Sequence, residues 1–206
     1  SWRVGFWGAT QDLQATQDGA VYHLLAGDSM QLIRYRSGGA HHWTHEVDWL
    51  QTPSLQLDPA PGWVEASILV TGYAVEAHEG RAVLVSENGD KLATVTWDAS
   101  RVIGSLVYAD QAFLFSHDAL GQVQAHRWQL DQPEAALEAL ELPELGFSSS
   151  DAARLVTPSF VGDARHAALL LENEAYCRGW TFDPLDGSWS LFEFAPYDPA
   201  CEVTPS

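Results

Sequence analysis

Basic residues are scarce in this chain. Ten Lys and Arg stand against 28 Asp and Glu, and only one of the ten, Lys91, is a lysine, for a formal net charge of -18. Binding to nucleic acid draws most of its affinity from neutralising phosphates, so neither DNA nor RNA is an expected partner. Long apolar runs are missing as well: no stretch of about eighteen apolar residues occurs, and no membrane-spanning helix is expected. Cysteine is nearly absent. Cys177 and Cys201 are the only two, and a bridge between them would close a loop of about two dozen residues and contribute ~3 kcal/mol. Such a disulfide, favoured by the tail containing Pro196, Pro199 and Pro205, implies an oxidising setting: extracellular, cell-surface or periplasmic. Two unrelated thiols are the alternative. The familiar catalytic spacings are lacking too, with no nucleophile elbow, phosphate-binding Gly loop, zinc-protease helix or paired CxxC. Their absence weighs against an enzyme without closing the case.

What the chain has in quantity is aromatic residues and turn formers. Nine Trp, eight Phe and six Tyr in 206 residues suit strands and packed sheets. They alternate with polar residues in short runs, and the runs are separated by Gly, Asp and Asn. That period of two, interrupted so often, predicts antiparallel sheet with no room for crossover helices.

Four sheet units are expected. The first, from about Asp12 to Trp49, has strands DLQATQ, AVYHLLA, QLIRYR and HHWTHEV between turns QDG, GDS and SGG. The second, from about Pro53 to Asp98, reads as SLQL, VEASILVTG, YAVEAHEG, RAVLVSE and KLATVTW, with Asn88-Gly89 as the strongest hairpin signal in the chain. In the third, from about Arg101 to Leu142, the last segment, ALEALEL, suits a strand or a short helix equally. The fourth, from about Ala153 to Phe194, has RLVTPSF, HAALLLE, AYCRGWTFD and SWSLFEF. Units starting near residues 12, 54, 102 and 154 have the period of propeller blades, roughly 40 to 50 residues. The expected fold is therefore all-β, a β-propeller-like array of about four antiparallel four-stranded units, with a β-sandwich as the alternative. It would form one domain over 1–206, with 1–11 as an N-terminal closing or adjoining strand and 195–206 as a C-terminal tail.

One family resemblance follows from these units. Leu13, Gln17-Asp18-Gly19, Val21-Tyr22-His23, Leu32-Ile33-Arg34-Tyr35, Gly38-Gly39, Trp43 and Glu46-Val47 make the first unit resemble the bacterial neuraminidase repeat, or Asp-box, propellers. In the fourth unit Thr181, Asp183, Gly187 and Trp189 are similar to an Asp box stretched by one residue. The resemblance implies a secreted propeller in which such boxes cap turns between outer strands. Sialidases of that family use three arginines, a Tyr nucleophile supported by Glu, and an Asp acid. Here Tyr22, Tyr35, Glu46 and Arg34 are present, but arginines do not recur at matching positions of successive units, so no catalytic role is carried over.

Several residue groups could carry chemistry of their own. His41 and His45 are the candidate metal ligands, because in a regular strand they share a face with Trp43, while His42 and Glu46 share the other. Calcium is chemically reasonable at the turn aspartates Asp183 and Asp186, where turn-capping is the simpler expectation. Ser1 combines a hydroxyl with an amine, as N-terminal hydrolases require, or marks a processed terminus. The carboxylates Asp28, Glu46, Glu65, Glu76 and Asp110 are candidates for a glycosidase pair. Trp2, Trp7, Trp49, Trp63 and Trp97, at strand ends or joints, are candidates for stacking on sugars or anchoring a partner. The expected function is a non-catalytic secreted or cell-surface module that binds a protein partner or a glycan, as a subunit of an assembly or of a processed precursor. A glycoside hydrolase is the alternative.

Overall fold

The computed structural model describes residues 9–16, 19–48, 50–57, 66–142, 152–156, 167–172 and 177–193. Those residues form sixteen strands and no helix, so the all-β expectation holds. The strands fall into four antiparallel sheets, each a meander of four consecutive strands.

The first sheet runs β1 (Ala9–Ala15), β2 (Val21–Ala26), β3 (Met30–Tyr35) and β4 (His41–Val47). The second is β5 (Gln51–Leu57), β6 (Ala66–Ala74), β7 (Glu79–Ser86) and β8 (Lys91–Asp98). The third is β9 (Arg101–Tyr108), β10 (Gln111–His117), β11 (Val123–Gln129) and β12 (Glu138–Leu140). The fourth is β13 (Ala152–Val156), β14 (Ala167–Glu172), β15 (Cys177–Asp183) and β16 (Ser188–Glu193).

Three details differ from the sequence reading. Ala9 to Gln11 belong to β1 rather than to an adjoining strand. The second sheet has four strands, because residues 66–72 and the start of YAVEAHEG, Tyr73 and Ala74, form the single strand β6, Val75 to His78 make the turn, and Glu79 and Gly80 open β7. The undecided third-unit segment is a strand, β12, paired with β11 from Arg127 to Ala125.

The same hairpin closure recurs at 16–20, 36–40, 86–90 and 118–122. In each, the first N–H bonds the fifth carbonyl and the fourth residue, always Gly, returns its N–H to the first carbonyl. Gly19, Gly39, Gly89 and Gly121 all have positive φ, which a residue bearing Cβ adopts only with strain. At 86–90 the positive φ belongs to Gly89 alone. The Asn88-Gly89 pair therefore builds a three-residue loop, not the two-residue turn that needs positive φ at both positions.

The middle strands β3, β7 and β10 are buried on both faces, whereas β4 and β8 alternate. This is the burial expected when sheets stack face to face and leave their last strands toward solvent. Tyr22, Leu24 and Leu32 meet Leu55, Ile68 and Val83 between the first two sheets. Leu69, Leu84 and Trp97 meet Val107, Leu114 and Trp128 between the second and third. Phe113 and Phe115 meet Phe182 and Trp189 between the third and fourth. The first strands follow one another, β1 against β5, β5 against β9 and β9 against β13.

Candidate functional site at the junction of the first two sheets

Strand β3 is buried along nearly its whole length, and this carries its one cation, Arg34, inside with only 9 % of its surface exposed. A charge so withdrawn from water needs partners. Strand pairing aligns Gln14, Tyr22, Arg34 and Trp43 in one row across the sheet. The Arg34 guanidinium lies 5.5 Å from the Tyr22 ring centroid, within cation–π range. Its Nη2 donates to Glu87 Oε1 at 2.6 Å and its Nη1 to the Glu87 carbonyl at 3.0 Å. Trp43 Nε1 donates to that same carbonyl at 2.8 Å. Glu87 belongs to the turn after β7, so the cluster joins two sheets. The indole fits because the neighbouring turn residue is Gly89, where a Cβ would come 2.9 Å from Trp43 Cδ2.

His42 completes the group. Tyr35 pairs with His41 while Arg34 pairs with Trp43, which makes His42 the extra residue of a β-bulge. Its Nδ1 sits 3.2 Å from Arg34 Nη1. Because a guanidinium can only donate, Nδ1 is the acceptor and the proton of the neutral ring is on Nε2. Burial, then the charges of Arg36 and Arg34, hold the His42 pKa below the usual histidine value against the opposing pull of Glu87.

The inner strands are joined by side chains that stand in for a backbone neighbour. Asp12 Oδ2 accepts from Leu55 N at 2.8 Å, and Gln14 Nε2 donates to Leu55 O at 3.1 Å. Both polar groups of Leu55 are thus satisfied from β1. A buried chain of hydroxyls, Ser54 to Thr71 at 2.8 Å and Thr71 to Ser105 at 3.0 Å, links the second sheet to the third.

The bulge overturns the expected histidine geometry. His41 pairs with Tyr35 and His45 with Leu32, residues on opposite faces of β3, so His41 and His45 do not share a face. His41 instead bonds Thr44 through Nε2 and stands edge-on to Tyr35. Among the described residues no group of three His, Cys, Asp or Glu side chains is arranged to hold a metal. Trp97 is 7 % exposed and gives its N–H to Ser116 at 3.0 Å, so its ring is engaged in packing between sheets. Trp2, Trp7, Trp49, Trp63, Ser1 and Glu65 lie outside the described residues. Cys177 opens β15, opposite Glu172, while Cys201 is outside them. Asp183 and Asp186 cap their own turn, accepting from Leu185 N at 2.9 Å and Ser188 N at 2.8 Å; the bonds from Ser188 lower the Asp186 pKa. Asp28 and Glu76 sit in second turns of their sheets and Asp110 in a first turn, at the other end of the meander.

Glu87 and the role of His42 were not legible in the sequence. The one signal was a charged residue, Arg34, interrupting an apolar strand, which announces a buried partner without naming it.

No protein family model matches the sequence, and no curated protein is similar to it. Among solved structures, the chain resembles a protein of unknown function from Bacteroides caccae, at 9 % identity and a TM-score of 0.55, over 93 % of this chain and 63 % of that one. It also resembles a triple arginine-to-alanine mutant of AofleA from Arthrobotrys oligospora, at 12 % identity and a TM-score of 0.48, over 85 % of this chain and 52 % of that one. The chain thus spans about three fifths of the length of the first of these structures and about half of the second, and what it shares with the first is the all-β fold.

Proposed function

We propose that this chain is a non-catalytic binding module, a propeller-like array of four antiparallel four-stranded sheets that engages a glycan or a protein partner at an extracellular, cell-surface or periplasmic site. The array is supported by four equivalent meanders whose first strands follow one another. The observation that carries the binding reading is the junction cluster. Arg34 is held inside by Glu87, while the Glu87 side chain is 60 % exposed and His42 and Trp43 are half-buried at the same point. A carboxylate, an imidazole and an indole side by side can hydrogen-bond and stack on one ligand. The likeness to a neuraminidase-repeat propeller and a Cys177 to Cys201 bridge belong to this reading.

A glycoside hydrolase would need two carboxylates facing one bond. Of the described candidates, Asp28 and Glu76 lie in second turns, Glu46 in β4 opposite Gln31, and Asp110 in a first turn. The test is a glycan array run beside a panel of chromogenic glycosides with the purified chain. Retention of a glycan class without turnover is the expected result, weakened by Trp43→Ala. Turnover that disappears on replacing Asp28, Glu46, Glu76 or Asp110 would establish the enzyme instead.

A further inference from the structure

Resting on that reading of the junction, we infer that its ligand is an uncharged saccharide whose hydroxyls bridge the Glu87 carboxylate and the His42 imidazole beside the Trp43 indole. The argument starts from which polar atoms are already used. Arg34 spends Nη2 on Glu87 Oε1 and Nη1 on the Glu87 carbonyl and His42 Nδ1. Its Nε is buried from solvent and has no protein partner. Arg34 is therefore committed inward, as a positioning residue for Glu87 and His42, and is closed to an anion arriving from outside.

What remains at the surface is complementary to hydroxyl groups. Glu87 uses only Oε1 among its carboxylate oxygens, leaving Oε2 on a side chain 60 % exposed. His42 Nδ1 is occupied by Arg34, which directs the ring proton to Nε2. The pair presents one charged acceptor and one donor. Adjacent sugar hydroxyls, each both donor and acceptor, match such a pair, and hydrogen bonds to the charged oxygen are the stronger kind. Trp43 is held by its bond to the Glu87 carbonyl and by contact with Gly89, so its half-buried ring is a fixed apolar surface beside them. An acidic sugar would meet the exposed Glu87 carboxylate on a chain of net charge -18, with Arg34 turned inward and the exposed Arg36 as the one nearby cation acting on His42.

The test is a titration of the ¹⁵N-labelled full chain with neutral monosaccharides and oligosaccharides, and separately with sialic and glucuronic acids, following the Trp43 Nε1 resonance assigned by Trp43→Phe. Neutral sugars are expected to shift it saturably, and acidic ones are not. Glu87→Gln, whose amide oxygen can still accept from Arg34, is expected to weaken neutral-sugar binding about tenfold, the loss of a charge-assisted bond. Acidic sugars binding in preference to neutral ones, tightened by Glu87→Gln, would overturn this inference and leave a glycan-binding module standing. Neutral-sugar binding that leaves the Trp43 resonance unmoved would overturn the assignment to this junction. No response to either class at about 10 mM, a limit of roughly 3 kcal/mol of binding, would overturn both this inference and the glycan half of the proposed function. The wild-type titration alone separates these outcomes should Glu87→Gln fail to fold.

Discussion

Gly80 has no side chain because Trp97 occupies the space where one would begin. An added Cβ would lie 2.2 Å from Trp97 Cε2, and the paired strands β7 and β8 bring the two residues directly opposite each other. Trp97 in turn is fixed by its bond to Ser116 and its packing against the third sheet, so the ring has nowhere to move. Gly80→Ala is therefore expected to destabilise the chain by roughly 1–3 kcal/mol, as overpacking does, read by urea denaturation. In a Trp97→Leu background the same substitution should cost markedly less, giving a clear coupling energy; additive effects would disprove the steric account. From the sequence, Trp97 was a candidate surface aromatic. Its position at the end of a strand was legible, but which sheet would cover it was not.

At the scale of elements, turn chemistry was the most readable feature and also shows where local rules stop. The four Gly-terminated loops lie where Gly, Asp and Ser clusters interrupt the alternation. The first turn of the third sheet differs: Ala109 and Asp110 join β9 to β10, and Ala109 has a φ of 51°. A left-handed residue with a Cβ is strained by roughly 1–2 kcal/mol, and glycine removes that strain at some cost in unfolded-state entropy. Ala109→Gly is accordingly expected to stabilise the chain by up to about 1 kcal/mol, raising the denaturation midpoint without changing its slope. A loss of stability would mean that the Ala109 methyl group packs usefully. β6 was misdivided because Gly72 and Tyr73 resemble a turn followed by a new strand. The structure continues through them, and Gly72 is there for clearance, since a Cβ would meet Leu50 at 2.7 Å.

At the scale of the whole molecule, the buried His23 and the half-buried His126 tie stability to pH. Burial lowers the pKa of His23 and His126 below the ordinary 6.5, and the Nδ1 of His126 is buried without a protein partner. Below that value the unfolded chain binds more protons than the folded one. The stability these neutral rings contribute is complete above about pH 6.5 and lost as pH falls through the range beneath it. Melting temperature should therefore be level from about pH 8 to pH 6.5 and decline toward pH 5, with a shallower decline in His126→Leu. An unchanged slope in that variant would show that His126 does not contribute. Alternation of apolar and polar residues, with turn formers between them, determined by itself most of the strands, their antiparallel order and the four units, because those depend on neighbours a few residues apart; the continuity of β6 and the strand form of β12 were not among them. Only the tertiary structure decided what each face meets. Glu87 reaches Arg34 across 53 positions, and a single extra residue at His42 turns His41 away from His45. Contacts between sheets and the side reversal at a bulge arise when separate hairpins pack together, and no local pattern encodes which residue lies opposite.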